Sequence, residues 1–360
     1  SEMCIRDRAR WTALVLIASM MFFGYMFVDV MSPIQALMES QKGWGPDTFG
    51  TYAASEYIVN VLGFLIIAGV ILDKMGVRFT GVLSASMMFI GALIKFIGIT
   101  DWFAQTALAD WLNSWWVTLP ASAKMACFGF MLFGCGCEMA GTTVSKAIAK
   151  WFKGKEMALA MGLEMAIARV GVFAIFSISP IIANHFGTVV APVAFCTVLL
   201  LIGLITFIVF TFMDKALDKQ MGVTEEAADP EEEFKFSDLG KIFSSQVFWI
   251  VALLCVLYYS AIFPFQRYGA NMLQCNLDGI SAEAAANIFR WFPIGAAVIT
   301  PFLGNFLDRK GKGATMLIGG ALLLICCHLV FAFVLPATKS PVIAYSTIVL
   351  LGISFALVPA

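Results

Sequence analysis

Glu138 and Arg169 are an acid and a base inside two successive apolar runs, equidistant from the midpoint between Lys153 and Gly154 in the loop that joins them. In an antiparallel helical hairpin, equal distance from the turn means equal depth, and about 13 residues of helix put both groups about 20 Å from the loop end. A carboxylate and a guanidinium at one level near the middle of a bilayer suit a zwitterion. Glu138 takes the ammonium, and Arg169 forks the carboxylate through two parallel hydrogen bonds. The competing reading is a permanent structural ion pair, which adds little stability after desolvation. Ionisable groups in a membrane interior are costly and are functional candidates by default.

Asp29 and Glu56 repeat the pattern, symmetric about the loop between the first two runs. If their carboxyls face each other, one holds a proton at neutral pH, which makes them candidates for proton coupling. Polar groups in a water-filled vestibule are the alternative. Arg267 and Arg290 add positive charge to the outer parts of the seventh and eighth runs, either to attract an anionic solute or to snorkel to the interface. Pro264, Pro293 and Pro301 interrupt the same two runs, and discontinuous helices are where transporters expose backbone to substrate. Each is equally a packing kink.

The elements that must position these residues are membrane-spanning helices. Of 360 residues, 60% are hydrophobic and only 13% are charged, outside the range of a water-soluble domain. Apolar runs recur at the length a helix needs to cross the hydrocarbon, and about ten are present, from Trp11–Met38 to Val342–Ala360. Ten-residue alternating strands, the signature of a membrane β-barrel, are missing. Most of the 23 Lys and Arg residues fall on one side if the N-terminus is cytoplasmic, which fixes the expected orientation. The expected location is an integral, multi-pass one: the inner membrane of a prokaryote, or a lysosomal or plasma membrane in a eukaryote. The Trp-rich stretch Asp101–Trp116 fits an interfacial outer helix.

Several function classes drop out. Net charge of −1 argues against a nucleic-acid partner. Nine scattered cysteines, Cys135 and Cys137 among them, fit packing rather than redox chemistry, and two isolated histidines suggest no metal site. No phosphate-cradling loop and no nucleophile-base-orienter set is visible, so neither an ATP-driven pump nor an enzyme is expected, and no cofactor is implied. Expected partners are a small-molecule substrate, protons and the lipid bilayer, with no obligatory protein partner.

Internal repetition organises the chain. "GVILDKMGVR" (Gly69–Arg78) follows the second run, and "GNFLDRKGKG" (Gly304–Gly313) follows the eighth. Recurrence after the second and eighth helices is what a duplicated six-helix half gives. The expected organisation is residues 1–8 as non-native adapter-derived sequence, 9–213 as the N-terminal six-helix half, 214–245 as a solvated acidic cytoplasmic linker, and 246–360 as a partial C-terminal half holding helices seven to ten. The apolar end "GISFALVPA" is expected to mark a fragment.

The pattern Gly69, Leu72, Asp73, Lys74, Gly76, Arg78 resembles the signature loop of the major facilitator superfamily, with Gly304, Asp308, Arg309 and Gly311 as its weaker copy. The resemblance implies an all-α membrane fold of two pseudo-symmetric halves. It also implies gating loops at Gly69, Asp73, Gly76, Arg78, Asp308, Arg309 and Gly311, with Asp73 facing a helix N-terminus of the opposite half, where a carboxylate is favoured. "WFKGKEMALAMGLEMAIARVG" (Trp151–Gly171), "YYSAIFPF" (Tyr258–Phe265) and "SPIQALM" (Ser32–Met38) resemble the major facilitator superfamily domain-containing protein 1 group. That group contains lysosomal dipeptide carriers, which implies an acid and a base on the fourth and fifth helices at the peptide termini. The expected substrate-binding set is Glu138, Arg169, Tyr258, Tyr259, Arg267 and Arg290. The expected function is secondary active or facilitative transport, as symporter or uniporter, of dipeptides or amino-acid-like solutes by alternating access. An organic-anion carrier and a non-transporting receptor or scaffold are the alternatives.

Overall fold

The computed structural model describes residues 7–153, 156–221, 236–310 and 313–357, and every regular element among them is helical. Lipid offers the backbone no hydrogen bonds, so each apolar run must satisfy its amides within itself, and a helix does this. In chain order the helices are α1 (Asp7–Asp29), α2 (Gln35–Lys42), α3 (Pro46–Val59), α4 (Leu65–Gly98), α5 (Asp101–Ala104), α6 (Ala107–Asn113), α7 (Ala121–Trp151) and α8 (Met157–Phe186). They continue as α9 (Val190–Met221), α10 (Phe236–Phe243), α11 (Gln246–Asn276), α12 (Ala282–Phe289), α13 (Trp291–Lys310), α14 (Gly313–Leu329), α15 (Leu335–Thr338) and α16 (Pro341–Leu357).

Among the described residues, seven helical stretches are individually long and apolar enough to span a membrane. The difference from the ten expected runs has local causes. The second and third runs join in one 53-residue stretch, Pro46–Gly98, which breaks at Gly76. Gly76 takes φ 73° and ψ 173°, a region essentially closed to any residue with a Cβ, so the glycine of the sequence motif makes the turn. The eighth run is interrupted at Arg290 between α12 and α13, and the tenth, α16, is 17 residues long. Pro264 sits inside an unbroken α11, whereas Pro293 falls in the first turn of α13, where a missing amide hydrogen costs nothing.

The chain forms two compact units. Unit 1 comprises residues 1–28, 37–168 and 188–234; unit 2 comprises 29–36, 169–187 and 235–360. Residues 29–36 and 169–187 thus group with residues 235–360. The helix α9 runs to Met221 and carries Asp214 and Asp218, both buried, so neither belongs to a solvated linker. Residues 222–235 lie outside the described residues.

Unit 1 is built on a seam between α4 and α7 where backbones meet. A Cβ on Gly91 would lie 2.4 Å from the Gly129 carbonyl oxygen, and one on Gly129 would lie 2.4 Å from that of Gly91. Small residues permit this approach, and van der Waals contact rather than the hydrophobic effect rewards it in lipid. The helix α9 docks on α4 by inserting the Phe207 ring against Gly81, where a Cβ would lie 1.9 Å from the ring. Near the Gly76 break, buried charges tie three helices together. Arg78 reaches Asp218 at 2.8 Å, Lys150 reaches Asp214 at 2.9 Å, and the Trp151 indole donates to Asp214 at 2.8 Å. At the other end, α5 and α6 begin with Thr100 and Thr106 caps, and the Lys124 ammonium donates to the carbonyls of Leu112 and Trp115. Trp102 and Trp111 remain exposed there.

Unit 2 packs α11, α12, α13, α14 and α16 around Phe289, whose ring meets Phe176, Phe265 and Phe292. The α13–α16 seam is again backbone on backbone, since a Cβ on Gly352 would lie 2.5 Å from the Phe292 carbonyl. The segment 169–187 and the short turn Ser32–Ile34 join through Ser179, whose hydroxyl donates to the Val30 carbonyl at 2.6 Å.

Candidate substrate site

In unit 1, Glu138 lies near the middle of α7 and is exposed, while both chain neighbours, Cys137 and Met139, are buried. It makes no ion pair or hydrogen bond among the described residues. A carboxylate so placed is open to an ammonium brought by a solute.

Arg169 lies in unit 2, just before the middle of α8, and is half-buried. Its guanidinium carbon stands 4.3 Å from the centroid of the Phe355 ring, a cation–π contact that fixes the plane of the fork. Its charge also acts on the hydroxyls of Tyr258 and Tyr259 of α11. Tyr258 is buried and donates to the Ser354 carbonyl at 3.2 Å, while Tyr259 stacks on Phe263 with centroids 5.0 Å apart. The structure thus brings together Arg169, the two expected tyrosines and Phe355, which sequence reasoning did not single out.

Asp29 and Arg267 lie against each other in unit 2. Asp29 is 0% exposed and accepts from Arg267 Nη1 at 3.0 Å, from Gln266 Nε2 at 2.6 Å and from the Ser32 hydroxyl at 3.2 Å. Arg267 is buried against that carboxylate, with Nη1 at 3.0 Å from Oδ1 of Asp29. The physical reason is charge compensation: two buried ions of opposite sign are stable together where each alone is not. Glu56, in unit 1, is buried on α3, and its own carbonyl would meet a Cβ on Gly134 at 2.1 Å.

Arg290 sits at the break between α12 and α13. Its Nη1 donates to the Ser177 hydroxyl at 3.0 Å, and its guanidinium lies over Phe173 and Trp291 at 5.2 and 5.7 Å. Its Nε is buried, with no acceptor among the described residues.

Among the expected gating residues, Gly76 makes the turn and Arg78 joins the buried charge cluster described above. Asp73 meets Lys146 of α7 at 3.2 Å, inside its own unit. Opposite charge at short range satisfies the carboxylate there. A side chain on Gly69 would meet open space, so packing does not demand a glycine at that position. Gly311 lies outside the described residues, as do the side chains of Asp308 and Arg309.

A cavity of about 680 Å³ between α11 and α14 is lined by Leu254, Leu257, Ile318, Leu324, Tyr258 and His328. Its walls are almost wholly apolar, and the His328 ring is already bonded to the Leu324 carbonyl, so it offers little to orient a zwitterion. The residue sequence reasoning missed is Glu164 of α8, buried at 7% exposure. A lone carboxylate inside an apolar run was the available signal.

Comparison with known proteins places these features in a family. The sequence profile of the Major Facilitator Superfamily matches residues 11–360. The lysosomal dipeptide transporter MFSD1 of Danio rerio is 27% identical over 97% of this chain and 71% of that protein. Its human counterpart is 26% identical over 80% of this chain, and the match takes in 58% of that protein, less than two thirds of its length. The solved structure of a D-xylose-proton symporter superposes with a TM-score of 0.68 at 11% identity, covering 97% of this chain and 80% of that one.

Proposed function

Because the chain belongs to the major facilitator superfamily, a family of transporters rather than enzymes, we propose that it carries small zwitterionic solutes of the dipeptide or amino-acid class by alternating access. Glu138 takes the solute's ammonium. Arg169, oriented by Phe355, takes its carboxylate, with Tyr258 and Tyr259 alongside. The single observation that carries this reading is an exposed acid at the middle of a spanning helix with no ion pair or hydrogen bond among the described residues. A structural acid would be paired and covered, as Asp29 and Asp214 are. The names of the MFSD1 relatives support the solute class.

In the proposed cycle the Gly76 break of α4 faces the cytoplasm.

A second reading, an organic-anion carrier, is favoured by the buried, acceptor-free Nε of Arg290, which suits an incoming carboxylate. Uptake by the full chain in proteoliposomes separates the two, with dialanine and a dicarboxylate as probes. Loss of a charge-assisted hydrogen bond costs about 1.5–3 kcal/mol, so Glu138→Gln reduces dipeptide uptake about tenfold or more. Undiminished dipeptide uptake by this variant refutes the zwitterion site, and dicarboxylate uptake that survives Glu138→Gln favours the anion carrier.

A further inference from the structure

Glu164 lies on α8 five residues before Arg169, about 7.5 Å nearer the start of the helix and about 140° round its axis, so it does not share Arg169's face. It belongs to a packed stripe with Ala160 and Ala168, at 0% and 3% exposure. Small residues one turn to either side let neighbouring helices close over the acid.

Three of the four other buried acids among the described residues of the spanning helices show what can accompany burial. Asp29 lies against Arg267, Asp214 against Lys150, and Asp218 against Arg78. Glu164 has no such companion. Among the described residues, no Lys, Arg or His nitrogen stands within 4.0 Å of it, and no group of any element hydrogen-bonds to it. On its own helix the adjoining turns supply Ala160, Met161, Ile167 and Ala168, none titratable, and Glu156 at the helix start faces Arg10 at 3.8 Å. A carboxyl withdrawn from water is stabilised by a cation or by a proton. With no cation against it, the remaining companion is a proton.

We propose that Glu164 is a proton-binding site of this transporter, filled from one side of the membrane and emptied to the other as access alternates. The step transfers a single proton. It leaves a hydronium ion on the acidic side, bonds to a carboxylate oxygen of Glu164, and returns to water on the opposite side, with no other bond made or broken. The proposal rests on the alternating-access reading above, though not on the identity of the solute.

Two measurements on the full chain test it. Infrared difference spectroscopy of the purified protein, between acidic and alkaline buffer, is expected to show a carboxylic C=O band that Glu164→Gln removes and Glu164→Asp restores at a shifted position. This readout needs no substrate. An identical difference spectrum in parent and Glu164→Gln overturns the proposal. In proteoliposomes loaded with a pH-sensitive dye, a one-unit inward gradient is expected to drive dialanine accumulation up to about tenfold with accompanying acidification, the limit for one coupled proton. In Glu164→Gln the ratio of uptake with and without the gradient is expected to fall to about one, with Glu164→Asp recovering part of it. Gradient stimulation that persists in Glu164→Gln, or peptide uptake by the parent that is blind to the gradient, overturns the proposal. Failure of the parent to move any peptide while the infrared band still depends on Glu164 refutes the solute class and leaves the proton site standing.

Discussion

Replacing Arg267 by Met tests the buried ion pair with Asp29. Asp29 is 0% exposed and Arg267 is 7% exposed, so solvent screens neither charge, and their 3.0 Å contact is made inside unit 2. Breaking a buried pair by removing one partner typically costs about 3–5 kcal/mol, because the other charge stays buried and uncompensated. Gln266 and Ser32 still donate to the Asp29 carboxylate, which places Arg267→Met near the lower end, about 3 kcal/mol. Asp29→Asn keeps the side-chain shape and strands the guanidinium, at a similar cost. Removing both charges together in Asp29→Asn/Arg267→Met leaves only lost packing and one weaker hydrogen bond, about 1 kcal/mol. The two single effects are therefore non-additive by about 5 kcal/mol. Chemical denaturation of the four proteins in detergent, followed by tryptophan fluorescence, reads this coupling directly. Additivity within about 0.5 kcal/mol would refute the reasoning, since independent sites behave that way.

Two further outcomes follow from local geometry. Gly76→Ala forces a Cβ into φ 73°, ψ 173°, and is expected to destabilise unit 1 by about 1–3 kcal/mol, read as a lower thermal midpoint in detergent; an unchanged midpoint refutes the constraint. At the membrane edge, Lys42 holds the Asp101 carboxyl below its usual ionisation range, first through its hydrogen bond and then through its charge. What this contact contributes to stability is present above the ordinary carboxylate pKa and is lost as pH falls through the depressed one. Lys42→Met is expected to return the Asp101 titration, followed by NMR, toward the ordinary carboxylate value.

Much of the architecture was legible because lipid leaves a polypeptide few choices. Apolar runs of spanning length had to be helices, and Gly76 announced a break by its place between Lys74 and Arg78. The division into compact units was less legible, since it depends on which partners residues 29–36 and 169–187 choose, and Ser179 and Asp29 carry no sequence mark of theirs. Counting depth from the loop at Lys153 singled out Glu138 and Arg169 as candidates, yet depth is silent about azimuth. It therefore missed that Phe355 lies beneath the Arg169 guanidinium and that Arg267 is taken by Asp29. Glu164 escaped because symmetric pairs were sought, and it has no counterpart across the hairpin: the position at equal depth on α7 is Thr143.

The bare contact of α4 with α7 at Gly91 and Gly129 has a mechanical side. Two rods touching along their spines, with no side chains interposed, leave no cushion to compress and no slack to take up. Sliding one past the other would open a void that neither lipid tails nor water could fill cheaply. These two helices therefore travel as a single plank, and whatever flexing transport demands has to be absorbed by other parts of the molecule.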